Sequence, residues 1–137
     1  MRLEVGSAAW VADRIPGCDR GFGENKTIHV IDGDQIIAGL VFHNWQPEAK
    51  VIEISSVAVD PRWMQRGVMR QLMRYPFDEL KCQMVVARIS VKNIRARRLW
   101  KALGSKEYII PRLRGRNEGE AILTLTNEAW GKSKFMR

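Results

Sequence analysis

Two runs of alternating, β-branched-rich residues, 27–32 and 35–45, are the first clear pattern along the chain. The tripeptide Asp-Gly-Asp at 32–34 lies between them, and a short polar turn with glycine between two such runs is typical of a β-hairpin. The segment VIEISSVAV, residues 51–59, predicts another strand, one that is well buried. Because side chains alternate along a strand, one face of it should carry Val51, Glu53, Ser55 and Val57.

From residue 62 the apolar residues recur at helical rather than strand spacing, and Pro76 should close this helix. Its apolar stripe consists of Met64, Val68, Met69, Leu72 and Met73. Its opposite side carries Arg62, Arg66, Arg70 and Arg74. A row of this kind is most often a solvated helix face.

The remaining elements follow from shorter patterns. Residues 83–90 predict a buried strand, and 93–103 predict a helix that Gly104 should terminate. Residues 7–15 begin with a capping-type serine and suit a short helix, whereas the glycine-rich stretch 16–25 predicts a loop. Two last strands are predicted at 108–113 and 121–126, joined by a polar segment. Pro111 should place the first of these near a sheet edge or a bulge.

The predicted order is therefore α-β-β-β-α-β-α-β-β. The alternation in the middle implies a βαβ crossover with parallel strands, while the hairpins at each end should be antiparallel. We find no repeat, linker or low-complexity tract, and 137 residues suit one core. The sequence predicts a single α/β domain over residues 1–137, with a mixed sheet of about six strands and helices on both faces.

Composition narrows the class of protein. Hydrophobic residues make up 45% of the chain, which is typical of a packed domain, and no apolar run approaches the ~18 residues that a membrane span needs. The start has no signal-peptide pattern, so we expect a cytoplasmic protein without a membrane partner. Cys18 and Cys82 are isolated, and we expect two reduced thiols.

The net charge is +8, from 23 Lys and Arg against 15 Asp and Glu. Such a balance favours a polyanionic partner, whether a nucleic acid or a phosphate-rich cofactor, although solubility alone would also explain it. Five of the cations crowd the second long helix, and three more follow it at 112, 114 and 116. They could form a basic surface for a cofactor phosphate, for nucleic acid or for an acidic protein.

Gly67 is the residue with the most direct chemical interpretation. It lies near the start of a helix that follows a buried strand, where unpaired main-chain N–H groups and the helix dipole favour an anion. Without a Cβ, Gly67 would let a pyrophosphate lie against the backbone, and Gln65 and Arg66 would add donors. The alternative is a packing accommodation, since a helical glycine costs ~1 kcal/mol against alanine.

The succession of elements, together with Met64-Gln65-Arg66-Gly67-Val68-Met69 and the later Asn93, Ala96, Trp100 and Gly104, resembles the Gcn5-related N-acetyltransferase (GNAT) family. The resemblance spans about residues 27–126. Members of this family carry Q/R-x-x-G-x-G/A at the strand-to-helix turn and N-x-x-A-x-x-x-Y, followed by Gly-Phe, in the later helix. Met64, Met69, Trp100 and Ser105 depart from these motifs.

The resemblance implies the acyl-CoA N-acyltransferase fold, acetyl-CoA as co-substrate and direct acetyl transfer to a primary amine of a small molecule or a protein. The positions that it implies for cofactor binding are Val57, Ala58, Val59, Gln65, Arg66, Gly67, Val68, Met69, Arg70, Asn93, Arg97 and Trp100. Arg62 would be a further partner for phosphates. Trp100 replaces the tyrosine that often acts as general acid, so that role is absent or filled elsewhere. The resemblance also makes a homodimer a candidate assembly.

Glu53 is the first candidate for the general base that an ammonium substrate requires. It precedes Gly67 by 14 residues, a spacing similar to that of the catalytic glutamate in histone-type members of the family. The alternative is an ion pair with an arginine. His43, near the end of the second long run, is the other candidate base, and a hydrogen-bonded structural role is its alternative. Neither His43 nor His29 has ligand companions at metal spacing, so we predict no metal site.

Three functions therefore stay open on the sequence. The first is a CoA-dependent N-acetyltransferase. The second is a protein on the same fold that binds or modifies nucleic acid through its basic surface. The third is a non-catalytic acetyltransferase-like module, which the departures at Met64, Met69 and Trp100 would favour.

Overall fold

One seven-stranded sheet forms the centre of the computed structural model, which describes residues 1–16, 18 and 21–136. Its strands are β1 (Arg2–Gly6), β2 (Asn25–Asp32), β3 (Gln35–Gln46), β4 (Val51–Ala58), β5 (Met84–Ser90), β6 (Lys106–Gly115) and β7 (Glu118–Thr126). Its helices are α1 (Ala9–Ala12), α2 (Arg66–Arg74), α3 (Ile94–Ala102) and α4 (Asn127–Lys132). The predicted mixed α/β architecture is confirmed.

The strand order is β1-β2-β3-β4-β5-β7-β6, and every neighbouring pair is antiparallel except β4 and β5. These two run parallel and pair only from Val51–Met84 to Glu53–Val86. Both strands then continue, to Ala58 and Ser90, without pairing across residues 54–58 and 87–90. The sheet therefore opens between β4 and β5 at their carboxyl ends.

The predicted hairpin turn, the end of the second long helix and the edge position of Pro111 are confirmed. Gly33 adopts a positive φ of 63° in the two-residue turn between β2 and β3. Gly104, with φ 109°, ends α3, and the N–H of Ser105 donates to the carbonyl of Trp100 at 3.2 Å, as in a Schellman motif. Pro111 lies in the edge strand β6, where the register shifts between Ile110 and Gly115.

Several boundaries differ from prediction. β1 and α4 were not predicted, which makes the strand count seven rather than six. The helix predicted at 7–15 is only α1, whose N-cap is Ala8, although the hydroxyl of Ser7 accepts from the N–H of Ala9. The predicted loop at 16–25 includes Gly17, Asp19 and Arg20, which lie outside the described residues.

The helix predicted from residue 62 has a separate first turn. Asp60 accepts from the N–H of Arg62 at 2.9 Å and caps a 3₁₀ turn, Pro61–Trp63. Met64 then leaves helical geometry, and α2 begins at Arg66, so Gly67 is its second residue. Pro76 does not close the helical segment as predicted, because α2 runs into a π-helical turn, Tyr75–Glu79, in which Pro76 is near the start and needs no N–H donor.

The main core lies between one face of the sheet and helices α2, α3 and α4. Ile52 and Ile54 of β4 are each 2% exposed there and belong to the same cluster as Leu72 of α2 and Trp100 of α3. Burial of a side chain of this size stabilises the fold by ~1.5–3 kcal/mol. Among the described residues, no helix has the length and apolar character needed to cross a bilayer.

Helix α1 packs on the opposite face of the sheet, so the prediction of helices on both faces is confirmed. A Cβ at Gly39 of β3 would lie 2.7 Å from a methyl of Val11 and 3.2 Å from the ring of Trp10. A glycine is therefore needed for α1 to approach β3 this closely. Because residues alternate along strands, the face with Gly39 also carries His43 of β3 and Glu53 of β4.

Candidate functional site

The opening between β4 and β5 is the main irregularity of the sheet. On its other side β4 stays paired with β3 as far as Ala38–Ala58. Main-chain N–H and C=O groups need partners when they are shielded from water. The edge of β4 that faces the opening, residues 54–58, can therefore offer donors and acceptors to an extended ligand.

Helix α2 begins beyond this opening. Its N-cap, Gln65, makes no side-chain capping bond, and the N–H of Met69 donates to the carbonyl of Gln65 at 2.9 Å. A Cβ built at Gly67 meets nothing within 4 Å, and Gly67 is exposed. Packing within the described chain therefore does not require a glycine here, and the main chain at Gly67 is open to the surface.

The flanking residues divide between core and surface. Val68 and Met69 are buried in the main core, so their side chains point away from the surface and Met69 does not crowd Gly67. Gln65 and Arg70 are exposed, as is Arg66.

At the end of β4, Val57 is half-buried, while Ala58 and Val59 are exposed. The N–H of Val59 donates to the carbonyl of Ile37 at 2.8 Å. The main chain of this segment therefore stays bonded to β3 as far as Val59.

The three residues at α3 that were predicted to bind the cofactor have different surroundings in the structure. Asn93 caps the helix, because its side-chain oxygen accepts from the N–H of Ala96 at 3.2 Å. Arg97 donates from two nitrogens to both carboxylate oxygens of Glu107, each at 2.9 Å. This pair holds the pKa of Glu107 at about 2, first through the hydrogen bond from Arg97. Trp100 is buried in the main core.

A groove of about 600 Å³ lies between the loop before α2 and the outer side of α3. Its apolar walls are Met64, Ile94, Leu99 and Phe135, and its cations are Arg95, Arg98 and Lys134. Lys134 and Phe135 come from the C-terminal segment, whose position no sequence pattern predicts.

Glu53 and His43, the two candidate bases, lie side by side as register partners on β4 and β3. His43 Nε2 lies 3.6 Å from Glu53 Oε2 and 2.8 Å from the hydroxyl oxygen of Ser55. Asn44 donates to Glu53 at 3.4 Å. Burial lowers the pKa of His43 below its ordinary 6.5, and the charge of Glu53 offsets part of that effect. His43 is therefore neutral at pH 7.

Both side chains line a second cavity of about 600 Å³. Phe22, Trp45 and Tyr75 are among its aromatic walls, and the ring of Phe22 lies 5.0 Å from that of His43. A neutral imidazole and a carboxylate at the wall of a partly apolar cavity can accept a proton from a bound ammonium group.

Residues 8–104 match the model of the acetyltransferase (GNAT) family. The chain belongs to this family. No curated protein matches the sequence closely enough to count as a relative.

Solved structures agree in fold with this GNAT member. A mutant of the spermidine N-acetyltransferase SpeG from Vibrio cholerae has a TM-score of 0.74 at 11% identity, with 96% of this chain and 98% of that chain covered. A dodecameric structure of the Vibrio cholerae spermidine N-acetyltransferase has a TM-score of 0.68 at 12% identity, with 96% and 94% covered. A protein provisionally assigned as an acetyltransferase has a TM-score of 0.66 at 19% identity. This match covers 79% of the present chain and 63% of the length of that protein.

Two arginines of the row predicted in this GNAT member, Arg62 and Arg74, lie near carboxylates of the chain. The guanidinium of Arg62 lies 2.8 Å from Asp60 and 3.0 Å from Asp32, so it ties the turn after β4 to the first hairpin. Arg74 lies 4.0 Å from Asp78. The predicted alternative for Glu53, an ion pair with an arginine, gives way to contacts with His43 and Asn44.

The sequence did not identify several residues that the structure brings to the site. Strand alternation had placed Ser55 on the face of Glu53, but its hydrogen bond with His43 was not predicted. Phe22, Asn44 and Tyr75 come together only through the tertiary fold. In the described part of the chain, no three His, Cys, Asp or Glu side chains are arranged to hold a metal ion. Both cysteines are free, and burial raises the pKa of Cys82 to about 11.

Proposed function

We propose that this GNAT domain transfers an acetyl group from acetyl-CoA to a primary amine by direct attack. The observation that carries the proposal is the open space over Gly67, at the start of α2 and beyond the opening between β4 and β5. Glu53 and His43 line the face of the sheet beside that opening. One region thus combines an anion site, an exposed strand edge and two proton acceptors.

The start of α2 would bind the pyrophosphate of the cofactor. The main-chain N–H groups of a helix's first turn and the positive end of its dipole favour an anion there. Gly67 permits the close approach, and the exposed side chains of Gln65 and Arg70 can add polar contacts. The burial of Met69 removes the steric objection that its place in the motif raises.

The groove beside α3 would take the adenosine portion. Ile94, Leu99 and Phe135 offer apolar surface for a base, and Arg95, Arg98 and Lys134 offer positive charge for the 3′-phosphate. Arg97 and Trp100 have other contacts, with Glu107 and with the core, so we assign the phosphate to the groove cations instead.

The acceptor amine must lose a proton before it can attack a thioester. Glu53 would accept that proton, and neutral His43 beside it can share the charge or pass it on to water. Main-chain N–H groups along the opening would stabilise the negative charge that develops on the thioester oxygen. A thiol has a pKa near 8.5, so CoA can leave as a thiolate without a dedicated acid, and Trp100 need not supply one.

Titration calorimetry with acetyl-CoA tests this function. We expect one-to-one binding in the micromolar range, and acetylation of a primary amine in a coupled assay for CoA release. Absence of binding, together with salt-sensitive retention of DNA or RNA, would instead support a nucleic-acid function. Absence of both would support a non-catalytic module.

A further inference from the structure

A buried glutamate holds two arginines on the sheet face that carries Glu53. Glu120 of β7 is only 3% exposed, and Arg88 of β5 donates to it from Nε and, at 3.3 Å, from Nη2. Arg114 of β6 lies 3.6 Å from the same carboxylate and donates from Nη2 to the carbonyl of Arg88 at 3.1 Å. Glu118 and Glu120 lie in the polar segment that was predicted to join the last two strands, but both belong to β7.

This cluster lies at the opening between β4 and β5. Glu53 is the register partner of Val86, and Arg88 is two residues further along β5, on the same face. Arg88 therefore follows the last paired position, across the opening from Ser55. The hydrogen bond with Glu120 raises the pKa of Arg88, partial burial opposes this effect, and the charges of Glu120 and then of Glu53 raise the pKa further.

The cluster exposes cations and hides its anion. The side chains of Arg88 and Arg114 are 48% and 34% exposed, whereas Glu120 is covered. A buried carboxylate that fixes two guanidinium groups pre-organises them, so less conformational entropy is lost when they bind an anion. Arg88 and Arg114 share the single carboxylate of Glu120, whereas the neighbouring Glu118 has its own cation, Lys92, at 3.6 Å. One positive charge of the two arginines is therefore left for that anion.

We propose that Arg88 and Arg114, held by Glu120, bind a carboxylate of the acceptor, so that the substrates are amines that also carry a carboxylate group. This inference rests on the proposed acetyl transfer. Arg88 lies two residues beyond Val86, the register partner of Glu53, which is a rise of ~6.6 Å along β5. A carboxylate on Arg88 thus leaves the amine of a small amino acid within reach of Glu53.

Matched substrate pairs test the proposal. Phenylalanine and phenethylamine, lysine and cadaverine, and β-alanine and ethylamine differ only by the carboxylate. We expect the carboxylate-bearing member of at least one pair to have a kcat/KM higher by about tenfold or more, as a charge-assisted hydrogen bond would give. Comparison of the α-amino acids with the ω-amino acid shows which distance between the amine and the carboxylate the site accepts. Equal or lower values for the carboxylate members of every pair would overturn the inference.

Variants connect that preference to the cluster. Arg114→Met leaves Glu120 paired with Arg88, and it should raise KM about tenfold for the amino acid while leaving its amine partner unchanged. Arg116→Met, in the exposed turn between β6 and β7, is the matched control. The double variant Arg88→Met/Glu120→Met removes the pair together and leaves no buried unpaired charge, and it should abolish the preference. Equal losses for both members of a pair in Arg114→Met would contradict the proposal.

A binding measurement separates this inference from the proposed function. The Nε–H signals of Arg88 and Arg114 in NMR spectra should shift on addition of the amino acid but not of the matched amine, whether or not acetyl-CoA binds. Such shifts without acetyl-CoA binding would leave the carboxylate site standing and reject acetyl transfer. Acetyl transfer without such shifts would reject only the carboxylate site.

Discussion

The two faces of strand β4 differ in both packing and chemistry. Ile52 and Ile54 point into the main core, against the side where α2 and α3 lie. Glu53 and Ser55 point to the opposite face, where they contact His43. One short strand thus contributes separately to stability and to the candidate site, because side chains alternate along it. Substitutions on the two faces should have separable effects.

The largest effect should come from the core face. Ile54→Ala removes a fully buried side chain, and the lost transfer energy plus the cavity should lower the free energy of unfolding by ~3 kcal/mol. Urea denaturation measures this loss, and acetyl-CoA affinity at low temperature should stay unchanged. Ser55→Ala, the neighbour on the other face, is the control and should cost less than ~1.5 kcal/mol. Similar costs for both variants would refute the separation of the faces.

The next effect should appear in activity rather than stability. Glu53→Gln keeps the shape of the side chain but removes the proton acceptor, and kcat should fall about 100-fold or more. Glu24→Gln, which changes another carboxylate of the same cavity, should keep at least half of the activity. Full acetyl transfer by Glu53→Gln would remove Glu53 from the role of base.

Local patterns predicted most of the fold because they coincide with the tertiary contacts. The hairpin turn at Gly33, the end of α3 at Gly104 and the edge position of Pro111 each follow from backbone chemistry within a few residues. β1 is different, because this strand has only five residues and most of them are exposed. It forms a strand through its pairing with β2, in which Leu3 lies opposite Val30. Such pairing leaves little trace in a single segment.

The candidate site was less predictable than the fold. Glu53, His43 and Gly67 could be selected by residue type and position, and the fold brings Glu53 beside His43. The contact between Arg88 and Glu120 joins residues 32 positions apart, and the groove at α3 needs the C-terminal Phe135. Trp100 and Arg97 were also predicted to contact the cofactor. Their actual partners, the core and Glu107, follow only from the packing of α3.

Gly67 offers a test in which stability and binding should change in opposite directions. Because nothing lies within 4 Å of its built Cβ, Gly67→Ala should stabilise the fold by up to ~1 kcal/mol through helix propensity. The same methyl group should weaken acetyl-CoA binding by obstructing the pyrophosphate. Thermal unfolding and calorimetry measure the two changes.

Gly131 of α4 provides the matched control, since its built Cβ also meets nothing within 4 Å. Gly131→Ala should stabilise the fold similarly and leave acetyl-CoA affinity unchanged. If Gly67→Ala binds acetyl-CoA as tightly as the native chain, Gly67 does not lie against the cofactor.

The smallest effect should be a pH dependence of stability from His43. Its pKa in the folded state lies below the unfolded value, so the unfolded chain binds more protons as the pH falls. The contribution of neutral His43 to the free energy of unfolding should therefore be fully present above pH 6.5. It should be lost as the pH falls through the pKa that His43 has in the folded state. Thermal unfolding between pH 7.5 and 5 should show a shallower loss for His43→Gln than for the native chain. An identical slope would show that protonation of His43 is not coupled to unfolding.

The central claim is that acetyl-CoA enters the opening between β4 and β5 with its pyrophosphate on Gly67. Backbone amide NMR spectra recorded during an acetyl-CoA titration test it most directly. The account predicts the largest shifts at Gly67 and Val68 and along residues 54–58 and 87–90, with little change at Gly33. Shifts confined to other surfaces, or an unchanged spectrum at millimolar acetyl-CoA, would contradict it.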